Sequence, residues 1–229
     1  MKDEELSWLP FLLQTADALF PTGAYAHSLG FEESVRLGVV RDETTLADFL
    51  RRQILPALEH HELPFLRFAF TAADLAELCA VDREIDAWKL AAEARSASTQ
   101  LGGRRLAALR QLGDHADLAD FAAAVAAGRA HGHHLVVCAL QARAGGVPLG
   151  AALIAYLYQS LAAICAAALK LIRIGQDACQ RVLRTVLAEA GEVVARSCEV
   201  ERADAGWFNP LLEIAAMRHA RADERLFIS

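Results

Sequence analysis

The chain has 229 residues, 55% of them apolar, with a formal net charge of -6, which is enough to bury a substantial core in one domain spanning 1–229. The acidic balance argues against a nucleic-acid partner, because non-specific affinity comes from Lys and Arg displacing counterions from phosphates. Five cysteines, at 79, 138, 165, 179 and 198, are an odd number with no CxxC pair and no zinc-site spacing, and read as buried free thiols of a reducing cytoplasm.

In chain order, the N-terminal stretch MKDEELSWLPFLL carries Asp3, Glu4 and Glu5, lacks a basic leader and shows no small-residue cleavage site, so no export signal is expected. Trp8, Phe11, Leu12, Thr15 and Leu19 form one stripe at three- and four-residue steps, and Leu46, Phe49, Leu50 and Ile54 form another. No segment alternates with period two. Helix starts are predicted at Thr44 or Thr45 after Asp42, at Pro64 and Pro148 in first turns, at Asp74, Asp82 and Asp117 as caps, and at Asn209-Pro210. Stops are predicted at Gly38, Gly113, Gly128, Gly145-Gly146, Gly191 and Gly206. The pattern predicts an all-α chain, a single compact bundle of roughly nine or ten helices.

Gly102-Gly103 sits inside a pattern that otherwise stays helical, where each Gly costs about 1 kcal/mol relative to Ala, so a close helix approach or a kink is expected there. From Ala144 to Leu169 no residue is charged, a length that would permit a membrane span. Gln159 and Ser160 at its middle and its high Ala content favour instead a central buried apolar helix packed by other helices.

The histidines His131, His133 and His134 are the main candidates for metal chemistry. Helical ligand pairs need i, i+3 or i+4 spacing, which only His131 with His134 satisfies. Other ligands are missing from that pattern, so no stable metal site is expected, and a transient nickel contact at His131 and His134 stands beside plain cap or surface histidines. His60 and His61 are adjacent, so their side chains point apart on a helix. No carboxylate pair stands in an apolar setting that would raise a pKa. There is no GxSxG elbow, no GxxxxGK[ST] loop and no GxGxxG after a strand, and no active site is expected. The loop PTGAYAHSLG, with Gly23, Tyr25 and His27, is either an interface or a tight connection with Tyr25 packed inward. Lys170 and Arg173 close a long uncharged helix before Gly175 as ordinary complements of its dipole. The C-terminus places Leu226, Phe227 and Ile228 after a charged run, where they either dock into a partner's groove or fold back on this chain.

Four blocks in order resemble the urease accessory protein F family. Leu12, Leu13, Gln14, Leu19, Pro21, Gly23, Tyr25, Ser28, Gly30 and Glu32 fall on its N-terminal signature, with Phe20 and Phe31 as departures. DAWKLAAEARSASTQLGGRR is similar to its central run. His134 opens a block similar to its His-Pro-Val segment, followed by GVPL, AYLY and KLIRIGQDACQRVL. PLLEIAAMRHARADERLFIS is similar to its C-terminus. Leu135, Arg173, Cys179 and Ile228 depart from the usual Pro, Pro, Gly and Arg.

The resemblance implies a non-enzymatic urease maturation scaffold that forms a homodimer, binds the accessory D/H protein and recruits the GTPase accessory protein G. Nickel would be in transit to apo-urease and not tightly bound. By the same resemblance, Tyr25, Arg225, Leu226, Phe227, Ile228 and Ser229 are candidate contacts for the D/H protein, and Glu32, Lys170, Gly175 and Gln176 for the GTPase. The alternatives are a small helical metal carrier or metalloenzyme using His131 and His134, and a helical regulator of an unrelated GTPase.

Overall fold

The structure is a computed structural model that describes residues 6–17, 19–22, 30–219 and 227. Among these residues there is no strand, and eleven helices follow one another: α1 (Leu9–Ala16), α2 (Phe31–Arg36), α3 (43–71), α4 (Leu75–Trp88), α5 (Ala92–Leu112), α6 (Ala116–Ala126), α7 (His134–Ala144), α8 (Leu149–Leu171), α9 (Gln176–Leu187), α10 (Ala190–Glu199) and α11 (Pro210–His219). The chain is all-α, and its buried apolar side chains form one cluster that reaches from Phe20 to Phe227.

Several starts form as the sequence predicts. Asp42 accepts a hydrogen bond from the Thr45 backbone N–H, and Thr45 Oγ1 accepts one from the Asp42 N–H, a reciprocal capping box. Asp74 Oδ1 takes the Glu77 N–H at 2.8 Å, and Asn209 Oδ1 takes the Leu211 N–H at 3.1 Å.

Other positions behave differently. Leu19 lies beyond α1, which ends at Ala16 because Asp17 turns extended and its carboxylate captures the Leu19 N–H at 2.7 Å. Asp117 sits in the first turn of α6, behind His115 at the cap position. Gly191 stops nothing and lies in the first turn of α10. Pro64 starts no new helix: α3 runs through both Pro56 and Pro64. Each proline is preceded by a π-helical turn, Leu50–Ile54 and Leu58–Glu62, in which the N–H groups of Leu55 and Leu63 bond five residues back. Proline lacks an N–H and crowds the carbonyl four residues before it, and a widened turn relieves that clash. The carbonyl freed by Pro64 belongs to His60, and it accepts the Gly206 N–H at 2.8 Å.

Asp82 also departs from expectation. It stands in the middle of α4, fully buried, and accepts the backbone N–H groups of His131, Gly132 and His133. It therefore caps no helix of its own and instead fixes the loop that leads into α7. This arrangement suits α7, in which every residue from Leu135 to Ala142 is buried. Glycine allows the contact to close: a Cβ on Gly102 of α5 would collide with the Gly132 carbonyl oxygen and lie 2.9 Å from the His134 nitrogen. Of the two roles expected for Gly102-Gly103, close approach applies at Gly102, and Gly103 has open space around it.

The enclosed helix is α7 and not the long α8. α8 is long and apolar enough to cross a membrane, yet it buries one face, with Leu153, Leu157, Leu161 and Ala168 at 0% exposure, and leaves Ile154 and Tyr158 at 39% and 44%. The expected all-round burial is thus corrected: the 3.6-residue period leaves one side of so long a helix beyond the reach of its neighbours. Leu157→Ala or Leu161→Ala should lower unfolding free energy by about 2–5 kcal/mol in urea titrations, whereas Tyr158→Ala should change the stability of the monomer far less.

Candidate functional site

α2 begins at Gly30, whose φ of 83° is left-handed and open to glycine. A Cβ there would touch Leu212 O, Ala215 Cβ and Ala216 N of α11 at 3.4 Å, so α11 backs onto this cap. Glu32 and Glu33 occupy the first turn, where the helix dipole favours negative charge. Glu33 is buried and gripped by Arg36 through two bonds of 2.6 and 2.8 Å, with Arg218 of α11 at 3.9 Å. This carboxylate raises the pKa of the exposed Arg36 guanidinium.

Glu32 faces the tail. Its Oε2 accepts the Phe227 N–H at 3.1 Å, and the ammonium of Lys170, in the last turn of α8, lies 5.4 Å from the centroid of the Phe227 ring. The ring is 5% exposed and belongs to the core cluster. Cation–π contacts of this kind contribute about 0.5–1 kcal/mol at exposed sites. Three residues assigned by resemblance to two different partners, Glu32, Lys170 and Phe227, thus meet at one junction of α2, α8 and the tail. Of the two alternatives for Phe227, the side chain folds back on its own chain, where an apolar pocket and the Glu32 carboxylate, an acceptor for its backbone N–H, both exist. Gly175 and Gln176 stand at the start of α9, both exposed, with Gly175 at the cap position. Tyr25, Arg225, Leu226, Ile228 and Ser229 lie outside the described residues.

His131 and His134 do not share a helix. The helix begins only at His134, so the i, i+3 relation does not apply to His131, which precedes it in a loop turned by Gly132 at φ 81°. His131 Nδ1 lies 3.9 Å from Asp86, while His134 Nε2 lies 3.5 Å from Cys138 Sγ. Among the described residues no group of three or more His, Cys, Asp or Glu is placed to hold a metal ion. The more constrained histidine is His133, at 0% exposure, with Nδ1 3.0 Å from Ser98 Oγ and Nε2 3.2 Å from Asp86. Burial lowers its pKa, against the opposing pull of Asp82 and Asp86.

His60 and His61 do point apart. His60 stacks on Trp207 at 5.4 Å, and His61 turns inward against Phe65 and Trp88. Burial, aided by the Lys89 charge, pushes His61 down to about 3. Trp88 in turn requires Gly206, where a Cβ would collide with the indole. The role of Asp82 had a signal in the sequence: Leu78, Asp82 and Ile85 share one helix face, so the acid falls on an apolar stripe. The contacts of Trp207 and Gly206 had none, since they depend on a loop folding back across α3. Four of the five cysteines are buried free thiols, and Cys198 is exposed.

The sequence profile of UreF matches residues 40–187. The urease accessory protein UreF of Paenarthrobacter aurescens (strain TC1) is 40% identical over 221 residues, covering 95% of this chain and 96% of that protein. Those of Arthrobacter sp. (strain FB24) and Corynebacterium efficiens are 37% and 30% identical, over 95% of this chain and 96% and 95% of theirs. The chain belongs to the UreF family. Its departures from the UreF pattern fall into different settings: Leu135 is buried in α7, Cys179 is buried with its thiol 3.6 Å from the Cys165 carbonyl oxygen, Arg173 is exposed, and Ile228 lies outside the described residues.

Two measurements check this UreF-family site. Phe227→Ala should destabilise the isolated protein by about 3–5 kcal/mol, as expected for emptying a buried aromatic position, and an unchanged melting temperature would contradict inward packing. His61 is harder to protonate in the fold than in the unfolded chain, so its contribution is full above about pH 6.5 and is lost as pH falls from there toward 3. His61→Phe, which keeps the ring contacts, should therefore reduce the slope of stability against pH in that window by one proton's worth, about 1.4 kcal/mol per pH unit.

Proposed function

We propose that this chain is a non-enzymatic scaffold of urease maturation: a cytoplasmic homodimer that binds the accessory D/H protein, recruits the GTPase accessory protein G and helps nickel reach apo-urease. Membership of the UreF family across nearly the whole chain is the observation that carries this reading. The junction of Glu32, Lys170 and Phe227 supports a specific form of it. The tail that would meet the D/H protein is tied by Phe227 to the two side chains that would meet the GTPase, so occupancy at one surface can be felt at the other. Nickel is cargo here, and His131, with its ring half exposed beside Asp86, is the more accessible of the two histidines considered for a passing contact.

Co-expression with the D/H and G proteins tests the proposal. The chain should co-purify with both, and in light scattering should run as a dimer. Removal of residues 226–229 should abolish D/H binding, while Lys170→Ala with Gln176→Ala should lose the GTPase but keep the D/H protein. Failure of the wild-type chain to retain either partner overturns the scaffold reading. A wild-type level of assembly and urease activation in the Lys170→Ala, Gln176→Ala variant removes that surface from it.

A further inference from the structure

Arg105 of α5 is only 4% exposed, and its side-chain hydrogen-bond partners are neutral. Its Nη1 donates to Gln141 Oε1 and to the Thr15 carbonyl oxygen, the latter at 3.4 Å, and the Phe20 ring lies 5.3 Å from the guanidinium carbon. Gln141 is held in turn, its Nε2 donating to Thr15 Oγ1 at 2.7 Å, and that hydroxyl donates to the Phe11 carbonyl oxygen at 2.8 Å. The Arg105 Nε is enclosed and has no acceptor. Among the described residues no carboxylate is paired with this guanidinium.

Several more exposed arginines are paired with carboxylates, whereas the half-buried Arg67 donates to the Val200 carbonyl oxygen and, like Arg105, keeps an enclosed Nε without an acceptor. Arg51, Arg143, Arg181, Arg196 and Arg202, all far more exposed, are paired with Glu189, Asp117, Glu43, Glu59 and Glu84. Those arginines need a partner least, since water already solvates them. A guanidinium stays charged at every accessible pH, and burying it without a counter-charge is costly. Glu62, another acid facing the bundle, accepts from the Tyr156 hydroxyl at 3.1 Å. The group that fits a guanidinium with a free Nε–H is a planar oxyanion whose two oxygens match the fork.

We propose that Arg105 is the anchor of a binding site for a small carboxylate-class anion, supplied from solution and received between α1, α5 and α7 beside Phe20. The low exposure of the guanidinium restricts access to ions of the size of formate, acetate or bicarbonate. Gln141 and Thr15 hold the fork in place, so the open donor is preorganised and Phe20 shields it from bulk water. This assignment is independent of the scaffold reading, since it concerns the chain alone.

The test is a titration of the full chain with sodium acetate against sodium chloride at constant ionic strength, observed at the arginine Nε–H resonances by 1H–15N NMR. The resonance that vanishes in Arg105→Lys identifies the group. In the wild type it should move saturably with acetate and not with chloride, and the melting temperature should rise along the same curve. Arg105→Lys, which keeps the charge but loses the fork, should weaken the acetate dependence of the melting temperature at least tenfold in concentration. If that variant does not fold, the wild-type titration decides alone, with Arg105 assigned through its backbone. A resonance that responds to acetate no more than to chloride overturns the site. So does one that stays silent to acetate and moves only when the D/H protein is added, because the carboxylate would then be a protein side chain.

Discussion

The enclosure of α7 is the constraint on which the rest of the bundle depends. A helix buried from Leu135 to Ala142 needs partners within the protein both for its polar side chains and for the loop that enters it. Neighbouring helices must supply both. Asp82 reaches from α4 to take three backbone N–H groups ahead of α7, Ser98 and Asp86 hold the His133 ring, and Arg105 with Thr15 occupies Gln141. Gly102 removes the one side chain that would keep α5 away. An apolar helix at the centre thus dictates a polar fringe on α1, α4 and α5, and those polar residues in turn set how the helices are rotated.

A second dependency runs along α3. Two prolines inside one continuous helix are accommodated by two π-helical turns, and the second leaves the His60 carbonyl without an intrahelical donor. The Gly206 N–H takes it, which brings the 200–209 loop across α3, stacks Trp207 on His60 and seats Asn209 against Gln53 at 2.7 Å. Asn209 then caps α11, and α11 supports Gly30 at the start of α2. A local backbone defect is in this way linked by successive contacts to the junction where Glu32 meets Phe227.

That junction joins charge and packing in a small space. Glu32 accepts a backbone N–H of the tail, Lys170 lies over the same residue's ring, and the ring fills the core. Each contact is modest alone, and their value lies in sharing one residue. Anything that displaced Phe227 would release Glu32 and Lys170 together and leave an apolar pocket open. Under the proposed scaffold function, partner binding and burial of the tail would draw on the same groups.

Helical period, caps at Asp42, Asp74 and Asn209, and the absence of alternation made the all-α class legible from the sequence, because these are properties of residues within four positions of each other. The family was legible for a related reason, since four ordered blocks spread over the chain survive as linear patterns. What lay beyond the sequence was every feature fixed by distant partners. The long apolar run of α8 resembled a central helix, yet the shorter α7 is the enclosed one, because burial depends on how many neighbours pack around a helix and not on its own composition. His131 and His134 had metal-ligand spacing, but the helix that would align them begins at His134. For Phe227 the sequence left outward docking and folding back both open, and only the tertiary fold supplied the pocket, the Glu32 oxygen and the Lys170 ammonium that hold it inside. Sequence spacing determines which residues can share a face; the packing of helices far apart in the chain decides which face is buried and what it meets.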